Sequence, residues 1–241
     1  MVVFDLDDTL HLRADPFFEA VRKMFPEYPA EQALFEDFRR IGDAYYQKWD
    51  SGCITERDMF ILRVIDTFAL YGISVTEEEA ERFHAYYNDG LQHICLAEGI
   101  EEALQTAKDL GISMGILTNG SSARQRGKIT VLGLEKWIPA ENILVSSEIG
   151  INKPDPRVFS AYQEWTAKGR QISAEEEDWW YVGDLYENDV ESPAKAGWYT
   201  IWLDRYGDSE KKKHCLQPDY LIRSGTELAD LLERIGKKQV R

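Results

Sequence analysis

Residues 2–10 read VVFDLDDTL, and this stretch decides the fold. Its apolar start at 2–4 is typical of a short buried strand. Three aspartates follow at once, Asp5, Asp7 and Asp8. In an open parallel sheet, ligands bind beyond the carboxyl ends of the strands. The stretch therefore predicts a buried strand that leads directly into a polar site.

The same alternation continues along the chain. Short apolar runs, rich in β-branched and aromatic residues, are separated by segments with helical periodicity, which is the pattern of a parallel sheet with helices on both faces. The sequence therefore predicts an α/β fold with a Rossmann-like, three-layer α/β/α core. The predicted strands are 2–4, 112–117, 143–145, 179–182 and 199–203, and the predicted helices are 99–110, 121–132, 156–167, 188–196 and 226–235.

The segment 13–94 follows a different pattern, with helical periodicity throughout and no good strand. Its predicted helices cover 30–50, Thr55 to Tyr71, and Thr76 to near His93. Two of them begin with a hydroxyl and a carboxyl residue three positions apart, which predicts a capping box: Thr55 with Asp58, and Thr76 with Glu79. The predicted domains are an all-helical insertion at 13–94 and an α/β core at 1–12 and 95–241.

Composition limits the classes of function. The chain has 241 residues and is 44% hydrophobic, an ordinary share for a folded protein. Apolar runs stay below the roughly 18 residues that a membrane helix needs, and the apolar start before Asp5 is too short for a signal peptide. The formal charge of −15 should repel nucleic acids and anionic membranes. We therefore expect a cytoplasmic protein without nucleic-acid or membrane partners, and its oligomeric state stays open.

The cysteines and histidines form no recognisable metal or disulfide pattern. Cys53, Cys95 and Cys215 are odd in number and widely spaced. We interpret them as buried thiols in a reducing compartment. The four histidines share no metal-ligand spacing, so none is assigned a role, although His11 follows the acidic stretch closely enough to touch a substrate.

Polar residues collect after the predicted strands of the core. Because the carboxyl ends of parallel strands meet at one edge of a sheet, these side chains are expected to converge. They are Asp5 and Asp7, residues 118–121, Lys153, and Asp184 with Asp189.

The expected convergence of carboxylates has an electrostatic consequence. Two like charges about 4 Å apart repel by roughly 4 kcal/mol at an effective dielectric constant of about 20, and one lysine cannot neutralise several of them. Either some carboxyls are protonated or a cation lies among them, and oxygen ligands favour Mg²⁺ over Zn²⁺. Mg²⁺, Lys153 and a helix N-terminus after Gly120 would suit a dianion such as phosphate. An aspartate beside the metal can attack phosphorus.

Four segments of the core resemble the ordered motifs of the haloacid dehalogenase (HAD) superfamily, in its phosphatase branch. They are DLDDT at 5–9, TNG at 118–120, KPDP at 153–156, and GD at 183–184 with Asp189. The first motif alone is only suggestive, but the four together are highly specific. The segment 13–94 resembles the helical type-1 cap of subfamily I, and the whole chain resembles the small-molecule phosphatases of that subfamily, including its nucleotidase-like members.

The resemblance implies roles for the first two aspartates. Asp5 would be the nucleophile and a metal ligand. Asp7 would be the general acid that protonates the leaving alkoxide and later deprotonates water, and its backbone carbonyl would face the metal. The dehalogenases of the superfamily lack an acid at this position, because cleavage of a carbon–halogen bond needs no protonated leaving group. Asp7 therefore favours phosphoryl chemistry.

The resemblance also implies a phosphate-binding set. Thr118 and the backbone at Asn119 would hold the phosphoryl group. Lys153 would bind its oxygens and orient Asp5.

The remaining implied residues concern the cofactor, Mg²⁺. Asp184 would be its second carboxylate ligand, and Asp189 would support the metal through water or steady a neighbour. Asp189 could instead be only a helix cap. Pro193 departs from the family pattern, since it lies where the helix after the fourth motif should begin.

The leading hypothesis is a Mg²⁺-dependent phosphomonoester hydrolase that acts on a small soluble metabolite through an aspartyl-phosphate. Nucleoside monophosphates and sugar phosphates are the main substrate options, and the helical cap would select among leaving groups. Two alternatives stay open. One is a phosphomutase, which would conserve organic phosphate, and the other is a non-catalytic regulatory or interaction protein on the same scaffold.

Overall fold

The computed structural model describes residues 1–28, 31–170, 178–211 and 213–239. The chain divides into two compact units. One, the core unit, combines Met1–Leu12 with Cys95–Arg241, and the other, the helical unit, is Arg13–Ile94.

The core unit contains a six-stranded sheet whose strands are all parallel. The strands are β1 (Val2–Phe4), β2 (Met114–Thr118), β3 (Ile143–Val145), β4 (Trp180–Gly183), β5 (Tyr199–Leu203) and β6 (Tyr220–Ile222). Their order is β3-β2-β1-β4-β5-β6, so β1 lies between β2 and β4, where the strand order reverses. Such a switch point is where parallel sheets bind ligands. The predicted α/β fold class is confirmed.

The helices separate the strands along the chain and make up the helical unit. They are α1 (Ala14–Met24), α2 (Gln32–Asp50), α3 (Glu56–Leu70), α4 (Glu77–Gly90), α5 (Ile100–Asp109), α6 (Ser122–Leu132), α7 (Arg157–Arg170), α8 (Ser192–Lys195), α9 (Asp208–Lys211) and α10 (Gly225–Gln239). Short 3-10 turns cover Leu134–Lys136, Ala140–Asn142 and Ser146–Glu148.

The central strands are buried on both faces. All residues of β1 and β2 are buried, which requires cover on either side of the sheet. On one face Val3, Leu117 and Leu144 pack with Phe159 and Tyr162 of α7. Burial of this area supplies the main stabilising free energy of the core and holds the loops at the strand ends in place.

The five predicted strands are all present, and two of them, β2 and β4, are shifted by one or two residues at both ends. β2 begins at Met114 rather than at Ile112, because the Ile112 N–H donates to Ala107 O (2.9 Å) and so helps to end α5. A sixth strand that was not predicted, β6, is three residues long and lies at the edge of the sheet. The equally short strands β1 and β3 are fully buried, whereas β6 is buried only at Ile222 and is defined by its pairing with β5.

The helical unit has the predicted capping boxes. The side chains of Thr55 and Thr76 accept from the backbone N–H of Asp58 and Glu79, and each carboxylate bonds back to the threonine N–H. α4 ends at Gly90, three residues before the predicted end. The start predicted for α2, residue 30, lies outside the described residues.

The prediction of buried cysteines was wrong. Cys53, Cys95 and Cys215 are free thiols, but all three are exposed. All three lie in segments between the helices and strands. Among the residues that the structure describes, no helix is both long and apolar enough to span a membrane.

Candidate active site

The loop after β1 carries the first two candidate residues. The Asp5 N–H donates to Val182 O on β4 (2.8 Å), so Asp5 is held at the edge of the sheet. Asp8, which follows Asp7 directly, has a φ of 61°. Aspartate tolerates such a left-handed backbone better than most residues. The chain therefore turns sharply at the carboxyl end of β1.

Lys153 joins several of the predicted site residues in a buried cluster. Its ammonium nitrogen donates to Asp5 Oδ1 at 2.8 Å and to Asp189 Oδ1 at 2.7 Å. It also donates to the Tyr181 hydroxyl at 2.7 Å, which donates in turn to Leu117 O at 2.6 Å. All four polar side chains are buried. Buried charges are tolerated when they are paired and hydrogen-bonded, so these contacts fix one another.

Asp189 reaches this cluster from a π-helical turn, Glu187–Glu191. Its Oδ2 accepts from the Leu185 N–H at 2.9 Å. Gly183 permits the approach, because a Cβ at that position would lie 2.4 Å from the Asp189 carboxyl carbon. Isolated π-turns occur often at functional sites. Asp189 is thus a buried partner of Lys153 rather than only a helix cap.

The helix predicted at 188–196 is divided into two parts. The π-turn comes first, and α8 begins only at Ser192, with Pro193 in its first turn. Proline costs no helical hydrogen bond at that position. Pro193 therefore does not prevent Asp189 from reaching the buried cluster, although it departs from the family pattern.

Burial and the neighbouring carboxylates shape the electrostatics of Asp5. Burial raises the pKa of Asp5 to about 6; Lys153 opposes the rise, while the charges of Asp189 and Asp7 add to it. Burial alone would lower the pKa of Lys153, but Asp189 and Asp5 raise it well above its usual value. The lysine therefore stays charged. Its single positive charge does not balance the carboxylates around it, so the cluster keeps an excess of negative charge.

The same cluster offers a site for a divalent cation. Asp5, Asp184 and Asp189 are all buried, and one ligand oxygen from each lies within 4.8 Å of the others. Carboxylate oxygens are the donors that Mg²⁺ and other hard cations prefer. The residues present therefore fit such an ion. The Asp7 carboxylate is not in this group, and a contact between its backbone carbonyl and a metal stays a prediction.

Asn119 acts through its side chain in a way that the sequence did not reveal. Its Nδ2 donates to Lys153 O at 2.8 Å, and its Oδ1 accepts from the Lys153 N–H at 3.0 Å. This pair of hydrogen bonds to the backbone ties the end of β2 to the loop that carries Lys153. The predicted phosphate contact through the Asn119 backbone is compatible with that use of the side chain. Thr118, at the end of β2, is also buried.

Three residues without an assigned role surround the Asp7 carboxylate. Lys128 Nζ lies 2.6 Å from Oδ1 and 2.8 Å from Oδ2. Gln125 Nε2 donates to Oδ2 at 3.1 Å, and His11 Nε2 lies 2.8 Å from Oδ1. The spacing of Gln125 and Lys128 places both on one face of α6. A sequence signal for Gln125 and Lys128 does exist: they are two polar residues on one helix face, beside the apolar Ile129. That pattern could have indicated a buried polar role for both.

The chain is similar to a known protein family over most of its length. Residues 2–203 match the family of haloacid dehalogenase-like hydrolases. The chain belongs to this family. The resemblance drawn from the four HAD motifs is confirmed.

Curated relatives span nearly the full HAD chain. One is a glyceraldehyde 3-phosphate phosphatase of Methanopyrus kandleri, 24% identical over 98% of both chains. Another is the pyrimidine 5'-nucleotidase YjjG of Escherichia coli, 24% identical over 96% of both. Among solved structures, YfnB from Bacillus subtilis, described as a HAD hydrolase bound to magnesium, has a TM-score of 0.70 at 22% identity. It covers 96% of this chain and 97% of its own, and the likeness supports the HAD fold.

Proposed function

We propose that this chain is a Mg²⁺-dependent phosphomonoester hydrolase of a small soluble metabolite, acting through an aspartyl-phosphate on Asp5. The observation that carries the proposal is the buried set of Asp5, Asp184, Asp189 and Lys153 at the switch point of the sheet, with Asp7 two residues after the nucleophile. The phosphatase and nucleotidase activities named for the relatives support it.

Each residue has a defined part in the proposed reaction. A carboxylate oxygen of Asp5 attacks phosphorus, and the bond from phosphorus to the leaving oxygen breaks. Asp7 gives its proton to that oxygen, and then takes one from the water that hydrolyses the aspartyl-phosphate. Lys153 binds phosphoryl oxygens beside Asp5, and Thr118 with the backbone at Asn119 holds the group. Bound by Asp5, Asp184 and Asp189, Mg²⁺ would neutralise charge on the phosphoryl oxygens.

Asp7 favours phosphoryl transfer over the cleavage of carbon–halogen bonds. An alkoxide is a poor leaving group and needs a proton, whereas a halide does not. The substrate class follows from the same chemistry: a phosphate monoester of an alcohol, with nucleoside monophosphates and sugar phosphates as the candidates. We assign the helical unit at 13–94 the proposed role of a cap that selects the leaving group. A cytoplasmic location remains part of the proposal.

Phosphate release from a panel of substrates tests this function. We expect Mg²⁺-dependent release of inorganic phosphate from one chemical class among nucleotides, sugar phosphates and phospho-acids, and loss of release with a chelator. Isomerised phosphate esters with no free phosphate would instead indicate a phosphomutase. A folded protein that turns over no member of the panel would contradict the general phosphatase reading and favour the non-catalytic alternative.

The apparent Mg²⁺ affinity is expected to fall as the pH is lowered through about 6, the raised pKa of Asp5. A carboxyl must lose its proton to bind a cation, so protons and Mg²⁺ compete. The folded-state pKa lies above the ordinary value of 3.8, so Asp5 stabilises the metal-free protein at low pH, and this contribution is lost as the pH rises through about 6. The rise in Tm caused by Mg²⁺ should therefore be larger above this pH than below it.

Thermal unfolding with and without Mg²⁺, at a pH on either side of 6, measures this effect. Asp184→Asn is the comparison variant: it should weaken the Mg²⁺ response at both pH values, because it removes one ligand. A Mg²⁺-induced change in Tm that does not depend on pH would contradict the prediction.

A further inference from the structure

Gln125 and Lys128 form a buried clamp between two parts of the site. Lys128 Nζ bonds both oxygens of Asp7 and also donates to Gln125 Oε1 at 2.8 Å. Gln125 Nε2 donates to Asp7 Oδ2 and, at 2.7 Å, to Thr118 Oγ1. One amide therefore links the proposed acid, the proposed phosphate-binding threonine and the lysine.

The clamp is held firmly in the core unit. Gln125 is 2% and Lys128 is 8% exposed, although both side chains are polar and lie on a helix. The Gln125 side chain lies against Gly120, where an added Cβ would come within 3.1 Å of its Cγ. Burying an amide and an ammonium costs free energy unless they are bonded, and here both direct those bonds to Asp7. Both oxygens of the Asp7 carboxylate are consequently fixed.

We propose that Gln125 and Lys128 are positioning residues for the general acid: they hold Asp7 in the orientation from which it passes its proton to the leaving oxygen. The inference rests on the proposed phosphohydrolase function. When the bond from phosphorus to the leaving oxygen breaks, the proton moves from Asp7 to that oxygen. Asp7 is left as a carboxylate facing the Lys128 ammonium and the Gln125 amide. Neither residue needs to touch the substrate.

The leaving group provides a readout that a purely structural role would not affect. A leaving phenol of low pKa departs without a proton, whereas a phenol or alcohol of high pKa needs one. Loss of acid positioning should therefore harm poor leaving groups selectively. A general loss of folding or of phosphate binding would lower the rates for all leaving groups alike.

The test measures kcat/KM for para-nitrophenyl phosphate, phenyl phosphate and an alkyl phosphate. The variants are Lys128→Met, which keeps an unbranched side chain, and Gln125→Leu, which leaves the lysine in place should the first variant fold poorly. Arg126→Met is the matched control: it removes a cation from the same helix, but one paired with Glu148 rather than with Asp7.

We expect Lys128→Met and Gln125→Leu to lower kcat/KM less than about threefold for para-nitrophenyl phosphate and more than about tenfold for the alkyl phosphate, within the range of general acid catalysis. Asp7→Asn should give the same pattern. Adding Lys128→Met to Asp7→Asn should then change little, because residues that act through one another are not additive. Arg126→Met should show no dependence on the leaving group.

Three results would overturn the proposal. An equal loss for all leaving groups in both clamp variants, or additive losses in the double variant, would make Gln125 and Lys128 structural while leaving the phosphohydrolase function intact. If the wild-type protein hydrolyses none of these esters and none of the metabolite panel, the proposed function itself fails, and the inference fails with it.

Discussion

Asp5→Asn is expected to lower kcat by more than about 10⁴-fold, the scale of loss when a catalytic nucleophile is removed. An amide oxygen cannot replace the carboxylate in displacing an alkoxide from phosphorus. The fold should survive, because Lys153 keeps its bonds to Asp189 and Tyr181. Phosphate esters should still bind, so the loss should appear in kcat rather than in substrate affinity.

Phosphate release and equilibrium binding of unreacted substrate, measured on the same variant, separate the two effects. Asp230→Asn is the matched control, since it makes the same chemical change at an exposed position on α10. It should retain wild-type turnover. An Asp5→Asn protein that keeps activity within about tenfold of the wild type would be incompatible with nucleophilic catalysis by Asp5.

Lys153→Met is expected to abolish turnover and to lower the free energy of unfolding by about 3–5 kcal/mol, the usual cost of removing one partner from a buried ion pair. The variant leaves two carboxyls, Asp5 and Asp189, close together without a cation. Protonation relieves their repulsion, so the destabilisation should shrink at acid pH. In the wild type the pKa of Lys153 lies well above its usual value of 10.5. The charged lysine therefore contributes its full stabilisation at every pH below 10.5, which includes both neutral and acid pH.

Urea unfolding at neutral and at acid pH, without Mg²⁺, measures both effects. Lys195→Met serves as the control because Lys195 pairs with Glu191 at 2.6 Å on an exposed helix face. A surface pair of this kind contributes about 0.5 kcal/mol or less. Equal destabilisation by the two variants, or a loss for Lys153→Met that grows at acid pH, would contradict the proposed role of the buried cluster.

The parts of the fold that could be predicted are those encoded by neighbouring residues. The apolar run at 2–4 followed by aspartates placed β1 and the site at its end. Thr55 and Thr76 marked two helix starts, because a capping box needs only residues three positions apart. Each of the four HAD motifs is encoded by neighbouring residues, and their occurrence together and in order indicated the family.

What escaped prediction depends on contacts between distant residues. Tyr181 reads as an ordinary strand residue, yet its hydroxyl bonds Lys153, 28 positions away. Lys128 bonds Asp7, which lies 121 positions away, and no residue near Lys128 in the sequence indicates that partner. The strand β6 is defined by its hydrogen bonds to β5, a strand that lies elsewhere in the sequence.

Trapping the phosphorylated enzyme tests the central claim most directly. The protein is mixed with para-nitrophenyl phosphate and Mg²⁺, quenched rapidly in acid and reduced with borohydride, which converts an acyl phosphate to an alcohol. Asp7→Asn is run beside the wild type, because loss of the base that activates water should let the intermediate accumulate. We predict homoserine at position 5 in peptide mass spectra, dependent on substrate and Mg²⁺. Phosphate release by the wild type, with no reduction at Asp5 in the wild type or in Asp7→Asn, would contradict the aspartyl-phosphate mechanism.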